Sequence, residues 1–479
     1  MAITFSTNFD APGSQLAHVW SHTVGSGHAA LALRADWQAQ MRRAQADLGV
    51  RHVRFHGILD DEMGTYLIEL DKDLYSFFNA DQIFDFLLSI NMRPFVELSF
   101  MPSALSSGGD IVFFYKGNVT PPRDYAKWAE VIKRLVSHWV ERYGATEVRR
   151  WFFEVWNEPN LDAFWKGSQA DYFKLYQYTA NAIREVDAQL RVGGPATAND
   201  EWVPQFLEFC EKNQLPTDFV STHHYPTDAL GKPGDDTETQ LSDASRNVLI
   251  QRVEAMRKTV GDKPLYYTEW NSSSNPFFAF HDEPYAAAFL FKNMLDVSGL
   301  VQGYSWWTVS DIFNENYFSS TPFHGSFGLQ TIHGIAKPTY RAMQLLNGLG
   351  IERLPVTGSH PTVDAWAVRA NANNVDLLLT NHAFPRHAIA PEVVTFHVDS
   401  KRKPTTAMVQ RVDAGHCNSR QAWVDMGSPE YLDAKQVDEL DEASQLSAEP
   451  LAVQAHRGGF DVQLNLPPHA IAAVRVELA

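Results

Sequence analysis

Between about residue 18 and residue 350 the chain alternates two textures. Short apolar, aromatic and β-branched runs end in polar, turn-forming residues. They are HVWSHTVG (18–25), RHVRFHG (51–57), RPFVELSF (93–100), RRWFFEVWNE (149–158), LRVGGPA (190–196), DFVSTHHY (218–225), PLYYTEWN (264–271) and GYSWWTVSD (303–311). Runs of this length and composition predict buried strands. Between them lie stretches with helical spacing. In AKWAEVIKRLVSHWV (126–140), Trp128, Ile132, Leu135, Val136 and Trp139 recur on one face. Residues 36–49, 169–187 and 246–261 read as further helices, with Gly49 and Gly261 where C-terminal caps are expected.

Eight strand–helix repeats predict an α/β fold, a (β/α)8 TIM barrel over residues 15–350. An open doubly wound sheet is the competing arrangement. Its nearest phosphate-loop candidate, VGGPATAN (192–199), lacks the G-x-G-x-x-G spacing. From 351 to 479 the texture becomes short strand-like segments such as VDAWAVRAN, NVDLLLTNHAF, EVVTFHVDS and AIAAVRVEL, which predict an additional C-terminal β-sandwich. The N-terminal stretch 1–14, with its strand-like AITFSTNF, is expected to join that sandwich. The acidic segment 426–450 interrupts it as a helical or loop insertion whose charges mark a solvated face.

Length agrees with two units, because 479 residues exceed the ~250–300 at which single cores stop growing. A formal charge of −17 opposes nucleic acid and anionic membrane surfaces and fits a small neutral substrate. Cys210 and Cys417 are the only cysteines, which leaves no disulfide framework and no zinc spacing. The N-terminus lacks the basic and apolar regions of a leader, and no apolar run is long enough to span a bilayer, so a soluble, cytoplasmic protein is expected. No heptad repeat specifies an oligomeric state.

On a barrel of this kind the chemistry sits at the C-terminal strand ends. Glu158 closes the fourth predicted strand in VWNEPN, and Glu269 the seventh in YYTEWNSSS. Closure of the barrel aims both at one mouth. Two carboxylates flanking a glycosidic bond can hydrolyse it, and their separation sets the stereochemistry: ~5–5.5 Å for retention, ~6.5–9.5 Å for inversion. The acid must stay protonated, which needs burial or a nearby negative charge. Glu158 beside Trp156 and Pro159 has that setting. An ionised partner needs donors, and Tyr267, Asn271 and the serines 272–274 are the candidates near Glu269. With 57 acidic residues in the chain, a purely structural reading of any one glutamate keeps weight. Glu97 with Arg54 reads as a buried polar pair, His56 as a histidine held by either, and Glu154 as half of an inward salt bridge. Phe113 and Phe114 either cap the pocket or pack a loop. His223 and His224, as strand neighbours, point to opposite faces, which argues against a shared metal site.

The wording of the motifs is similar to that of retaining glycosidases. RFHG (54–57), FYKGNVTPP (114–122), FEVWNEPN (153–160), STHHYP (221–226), YTEWN (267–271), WTVSDIF (307–313) and the stretch 323–346 together resemble glycoside hydrolase family 39, the β-xylosidases and α-L-iduronidases. The resemblance implies a barrel followed by a sandwich, with Glu158 as general acid/base and Glu269 as nucleophile. It further implies substrate contacts from His56, Gly57, Asn157, His223, Tyr225, Trp307 and Glu315, and neither metal nor organic cofactor. The family's xylosidases carry two adjacent glutamates where this chain has Asn314-Glu315. The implied function is an exo-acting retaining β-glycosidase, a β-D-xylosidase releasing xylose from xylo-oligosaccharides. An iduronidase-like enzyme and a non-catalytic carbohydrate-binding barrel are the alternatives; the first needs a cationic contact, the second no pair of glutamates.

Overall fold

The computed structural model describes residues 3–228, 231–232 and 234–479. Eight parallel strands close into a barrel in sequential order: Thr23–His28, His52–His56, Arg93–Leu98, Phe152–Val155, Arg191–Thr197, Phe219–His223, Leu265–Trp270 and Gly303–Trp306. They are called barrel strands one to eight below. Seven fall inside the segments expected from sequence or overrun them by one residue. The first is displaced. Its apolar VWS forms a 3-10 turn, and the glycine-containing TVGSGH makes the strand. Packing overrides propensity here, since a Cβ at Gly25 would lie 2.5 Å from the Trp307 ring.

The four expected helices form as Ala35–Leu48, Tyr125–Tyr143, Gln169–Val186 and Val248–Val260. The second buries Trp128, Val131, Ile132, Leu135, Val136 and Trp139, and the Asp124 carboxylate caps it by accepting from the Ala126 and Lys127 amides. Ser168 and Asp171 make a reciprocal capping box on the third. Gly49 caps the first at φ +65°, a conformation glycine adopts without strain. Helices Phe78–Ser89, Val203–Lys212, Pro284–Asp296 and Pro338–Asn347 were not distinguished by spacing. Pro284–Asp296 is buried along nearly its whole length, so it has no polar face to set a period.

Inside the barrel, period two stacks side chains in layers. Phe95, Phe152, Phe219 and Tyr266 plug the bottom as a separate apolar cluster. Two residues further along their strands, Glu97 and Glu154 form a charged middle layer with Arg54. The mouth lies above it.

After the barrel come two sheets. A five-stranded one runs Val356–Thr357, Ile3–Asn8, Glu392–Asp399, Gly459–Leu466, Val453–His456. A seven-stranded one is centred on Val363–Asn371, Asn374–Asn381, Ala470–Leu478 and Pro404–Val412. The N-terminal strand Ile3–Asn8 pairs parallel with Glu392–Asp399. Phe5, Val394, Phe396, Leu377, Leu379, Val474 and Val476 fill the space between the sheets. The acidic insertion contains helix Ala434–Ala443. Its Leu440 packs with Trp423 against Phe323 and Ile335, while Lys435 and Glu439 face solvent. No helix among the described residues is long and apolar enough to cross a membrane.

Candidate active site

The barrel mouth opens into a cavity of about 420 Å³ lined by His56, Asn157, Glu158, Tyr225, Glu269, Trp307 and Glu315, with Phe113, Leu161, Phe164, Asn199, Asp228, Pro276 and Phe327 around them. Seven of the nine residues expected at the site therefore share one cavity. His223 lies beneath it, fully buried. Gly57 does not line it. At φ +73° it serves a tight turn, its N–H going to Ser99 Oγ at 3.1 Å and a Cβ there meeting Asp60 Oδ2 at 2.2 Å.

Two irregularities aim the carboxylates. Glu158 follows the fourth strand at φ +43°, with its amide bonded to the Ala196 carbonyl at 2.8 Å. Glu269 sits where pairing slips: Tyr267 opposes Thr222 but Glu269 opposes His223, so Thr268 is extra. This bulge breaks the alternation after Thr268, so that Thr268 and Glu269 both face inward. Tyr266 faces the barrel floor, Tyr267 turns outward onto His224, and Thr268 points inward. Tyr267 is thereby removed from Glu269. Asn271 donates to the Trp307 carbonyl, Ser273 pairs with His281, and Ser274 donates to the Thr227 carbonyl. The expected donors around Glu269 are thus replaced by the Tyr225 hydroxyl, at 2.6 Å from Oε1, and Arg54 Nη1, at 3.5 Å from Oε2.

Arg54 is the hub. Wholly buried, it donates from Nε to Glu154 at 2.5 Å and from Nη2 to Asn157 Oδ1 at 2.9 Å, and Nη2 forms an ion pair with Glu97 at 2.8 Å. With Oδ1 of Asn157 occupied, its amide N–H groups remain for the cavity. Glu97 also accepts from His56 Nδ1 at 2.7 Å and from Ser99 Oγ. His56 Nε2 then faces Glu315 at 3.6 Å across the mouth. Trp307 stands against His56, ring centroids 4.8 Å apart, whereas Trp306 packs edge-on to Trp270. Phe113 stacks toward His56, and Phe114 is exposed.

A buried cation fixes the loops that carry Trp307 and Glu315. Lys337 Nζ lies 2.6 Å from Asp282 and 2.7 Å from Asp311 and donates to the Ser326 carbonyl at 2.9 Å. Asp282 and Asp311 in turn accept from the Gly325 and Gly328 amides.

The two glutamates differ electrostatically. Burial pushes Glu158 well above the usual carboxylate range, and the charge of Glu269 pushes further in the same direction. Burial also raises Glu269, but Arg54, His56 and the Tyr225 hydroxyl pull it back. When the pair shares one proton, Glu158 holds it. Glu315 is likewise raised by burial and by Glu269 and Glu158.

Hydrogen bonding agrees on where the proton sits. Thr268 Oγ donates to Glu154 at 2.8 Å, so it must accept from His223 Nε2, 3.1 Å away. His223 is kept neutral by burial and by the Arg54 charge, which leaves Nδ1 without a hydrogen. Nδ1 is 3.0 Å from Glu158 Oε1, so the carboxyl of Glu158 must be the donor there. The chain Glu158–His223–Thr268–Glu154 runs in one direction. Glu158, His223 and Glu269 offer ligand atoms within 4.8 Å of one another, but Arg54 3.5 Å from Glu269 makes a poor neighbour for a cation.

Sequence reasoning paired Arg54 with Glu97 but missed its reach to Asn157 and Glu269. It missed Thr268, which the bulge leaves facing inward beside Glu269, and Lys337, whose partners lie 55 and 26 residues away. Asn199 and Asp228 join at 2.6 Å on the cavity rim, and neither carried a signal in the sequence.

The model for glycosyl hydrolases family 39 matches residues 5–459. A beta-xylosidase from Caldicellulosiruptor saccharolyticus is 46% identical over 466 residues, 96% of this chain and 95% of that protein. Another, from Geobacillus stearothermophilus, is 36% identical over 93% of this chain and 89% of the relative. The crystal structure of a monomeric beta-xylosidase from Caulobacter crescentus superposes with a TM-score of 0.86 at 32% identity, covering 99% of each chain.

Proposed function

The chain belongs to glycosyl hydrolases family 39, and on that premise we propose that it is an exo-acting, retaining β-D-xylosidase that releases xylose from xylo-oligosaccharides. The observation that carries the reading is the pair of buried carboxylates whose oxygens approach within 4.8 Å and whose surroundings pull their protons apart. That separation suits direct capture of an anomeric carbon rather than the ~6.5–9.5 Å gap that admits a water.

In the first step Glu269, ionised beside Arg54 and Tyr225, attacks the anomeric carbon as the C–O bond to the leaving group breaks. Glu158 gives its proton to the departing oxygen. In the second step Glu158 removes a proton from water, whose oxygen displaces Glu269 and regenerates the free carboxylate. Tyr225 stays neutral, raised by burial and by the Glu269 charge, so it donates to Glu269 throughout. Asn157 presents its amide to the sugar 2-hydroxyl. His56, Trp307 and Glu315 hold the glycone, Glu315 as a donor while protonated. His223 acts through Glu158, setting its proton.

An iduronidase reading needs a cation for the uronate. No Lys or Arg is among the described residues lining the cavity, and four carboxylates are. The test is proton NMR of aryl β-xyloside hydrolysis. β-Xylose is expected as the first-formed anomer; α-xylose at the outset refutes retention, and turnover of an aryl iduronide but not the xyloside refutes the glycone.

A further inference from the structure

Far from the barrel mouth in the fold, the outer face of the five-stranded sheet gathers a second set of chemistry-bearing side chains. Along strand Glu392–Asp399, Val394, Phe396 and Val398 are buried in the sandwich core, so alternation sends His397 and Asp399 outward. Its neighbour Gly459–Leu466 turns Phe460 and Val462 in and Asp461 out. His397 and Asp461 stand opposite each other in register. Across the other side of Gly459–Leu466, the edge strand Val453–His456 sets Gln454 opposite Asp461 and ends at His456.

Three donors therefore meet across three strands. His397 Nδ1 is 2.7 Å and His456 Nε2 3.5 Å from the same Asp461 oxygen. The two imidazoles lie parallel, 5.1 Å between centroids with 3° between planes. One ligand atom from each of the three residues lies within 4.8 Å of the others. A fourth residue orients the ring of His397. Asp399 Oδ1 sits 3.2 Å from His397 Nε2 and accepts its hydrogen, so Nδ1, which donates to Asp461 when no ion is present, is the nitrogen that can exchange its proton for a metal beside the other two ligands. A carboxylate on the far ring nitrogen is the partner that metal-ligating histidines ordinarily have.

We propose that His397, His456 and Asp461 form a binding site for a divalent transition ion of the zinc class, with Asp399 orienting His397. Two imidazoles and one carboxylate suit Zn²⁺, which takes such ligands at about 2.0–2.2 Å in a tetrahedron, and the ligands' partial exposure leaves the fourth position to water. Calcium and magnesium prefer all-oxygen shells and fit poorly. A bound ion ties the four-residue edge strand to the two strands inside it, so its expected effect is on the stability of the sandwich rather than on hydrolysis.

The test is equilibrium dialysis of the full chain against ZnCl₂ with elemental analysis, on wild type, His397→Gln, His456→Gln and Asp399→Asn. Wild type is expected to retain one zinc more than either histidine variant, a difference that also separates this site from any zinc held at the barrel mouth. Asp399→Asn weakens binding about 10–100-fold without abolishing it. Zinc raises the melting temperature of wild type but not of His456→Gln, whose hydrolytic rate is unchanged. Equal zinc content in wild type and both histidine variants overturns the site, as does Ca²⁺ binding there as tightly as Zn²⁺. An Asp399→Asn protein with unaltered affinity overturns the orienting role.

Discussion

Thr268→Val tests whether the hydrogen-bond chain sets the proton of the acid. Valine keeps the shape and removes the hydroxyl that accepts from His223 Nε2 and donates to Glu154. His223 is fully buried, so its N–H must find another acceptor. The nearest lies on its other side, Glu158 Oε1 at 3.0 Å. Moving the hydrogen to Nδ1 turns a bond that favours the neutral carboxyl into one that favours the carboxylate. A hydrogen bond to a charged group is worth ~1.5–3 kcal/mol. At ~1.36 kcal/mol per unit, the Glu158 pKa falls by about one to two units. The rate with a poor leaving group is lost as pH rises through that pKa, so the alkaline limb of kcat/KM moves down by the same amount. The assay is a pH series with an alkyl or phenyl xyloside beside 2,4-dinitrophenyl xyloside. The latter needs no proton for departure, so its kcat/KM should move little. Thr268→Ser restores the hydroxyl and should restore the limb. The reasoning fails if valine lowers kcat/KM uniformly with the limb in place, or if serine shifts the limb as far as valine does.

Glu269→Ala should abolish hydrolysis, and azide should rescue it by entering the vacated space to give the α-xylosyl azide; a β-azide as sole product contradicts Glu269 as nucleophile. Glu158→Gln should stabilise the fold at neutral pH. A carboxyl whose folded pKa is raised binds its proton more tightly when folded, so wild-type stability falls as pH rises from about 4.3, the unfolded value, toward the folded one. The variant lacks that loss, and urea midpoints should diverge with rising pH and converge near pH 4; a constant difference contradicts this. Lys337→Met leaves Asp282 and Asp311 buried without their cation, which should cost ~3–5 kcal/mol in urea unfolding and lower kcat/KM through the loop carrying Trp307 and Glu315. An unchanged midpoint would show the ion triad to be dispensable.

Local pattern and covalent order determined much of this protein. Alternating strand and helix periods specify the barrel, because each period admits only one way to bury its apolar face. Strand ends then locate Glu158 and Glu269, since a parallel barrel brings all eight C-terminal ends to one rim. The motif wording carried the family. The sequence was silent wherever an outcome depended on contacts distant along the chain. The first strand forms from TVGSGH because a tryptophan 282 residues later needs the room at Gly25. The bulge at Thr268 turns Glu269 inward, off the face that Tyr267 occupies, so the expected donors to Glu269 gave way to Tyr225 and Arg54. Which glutamate keeps the proton follows from burial, from Arg54 and from a histidine tautomer fixed by two further side chains. Those are properties of assembled distances in a low-dielectric interior, and no spacing along a single strand encodes them.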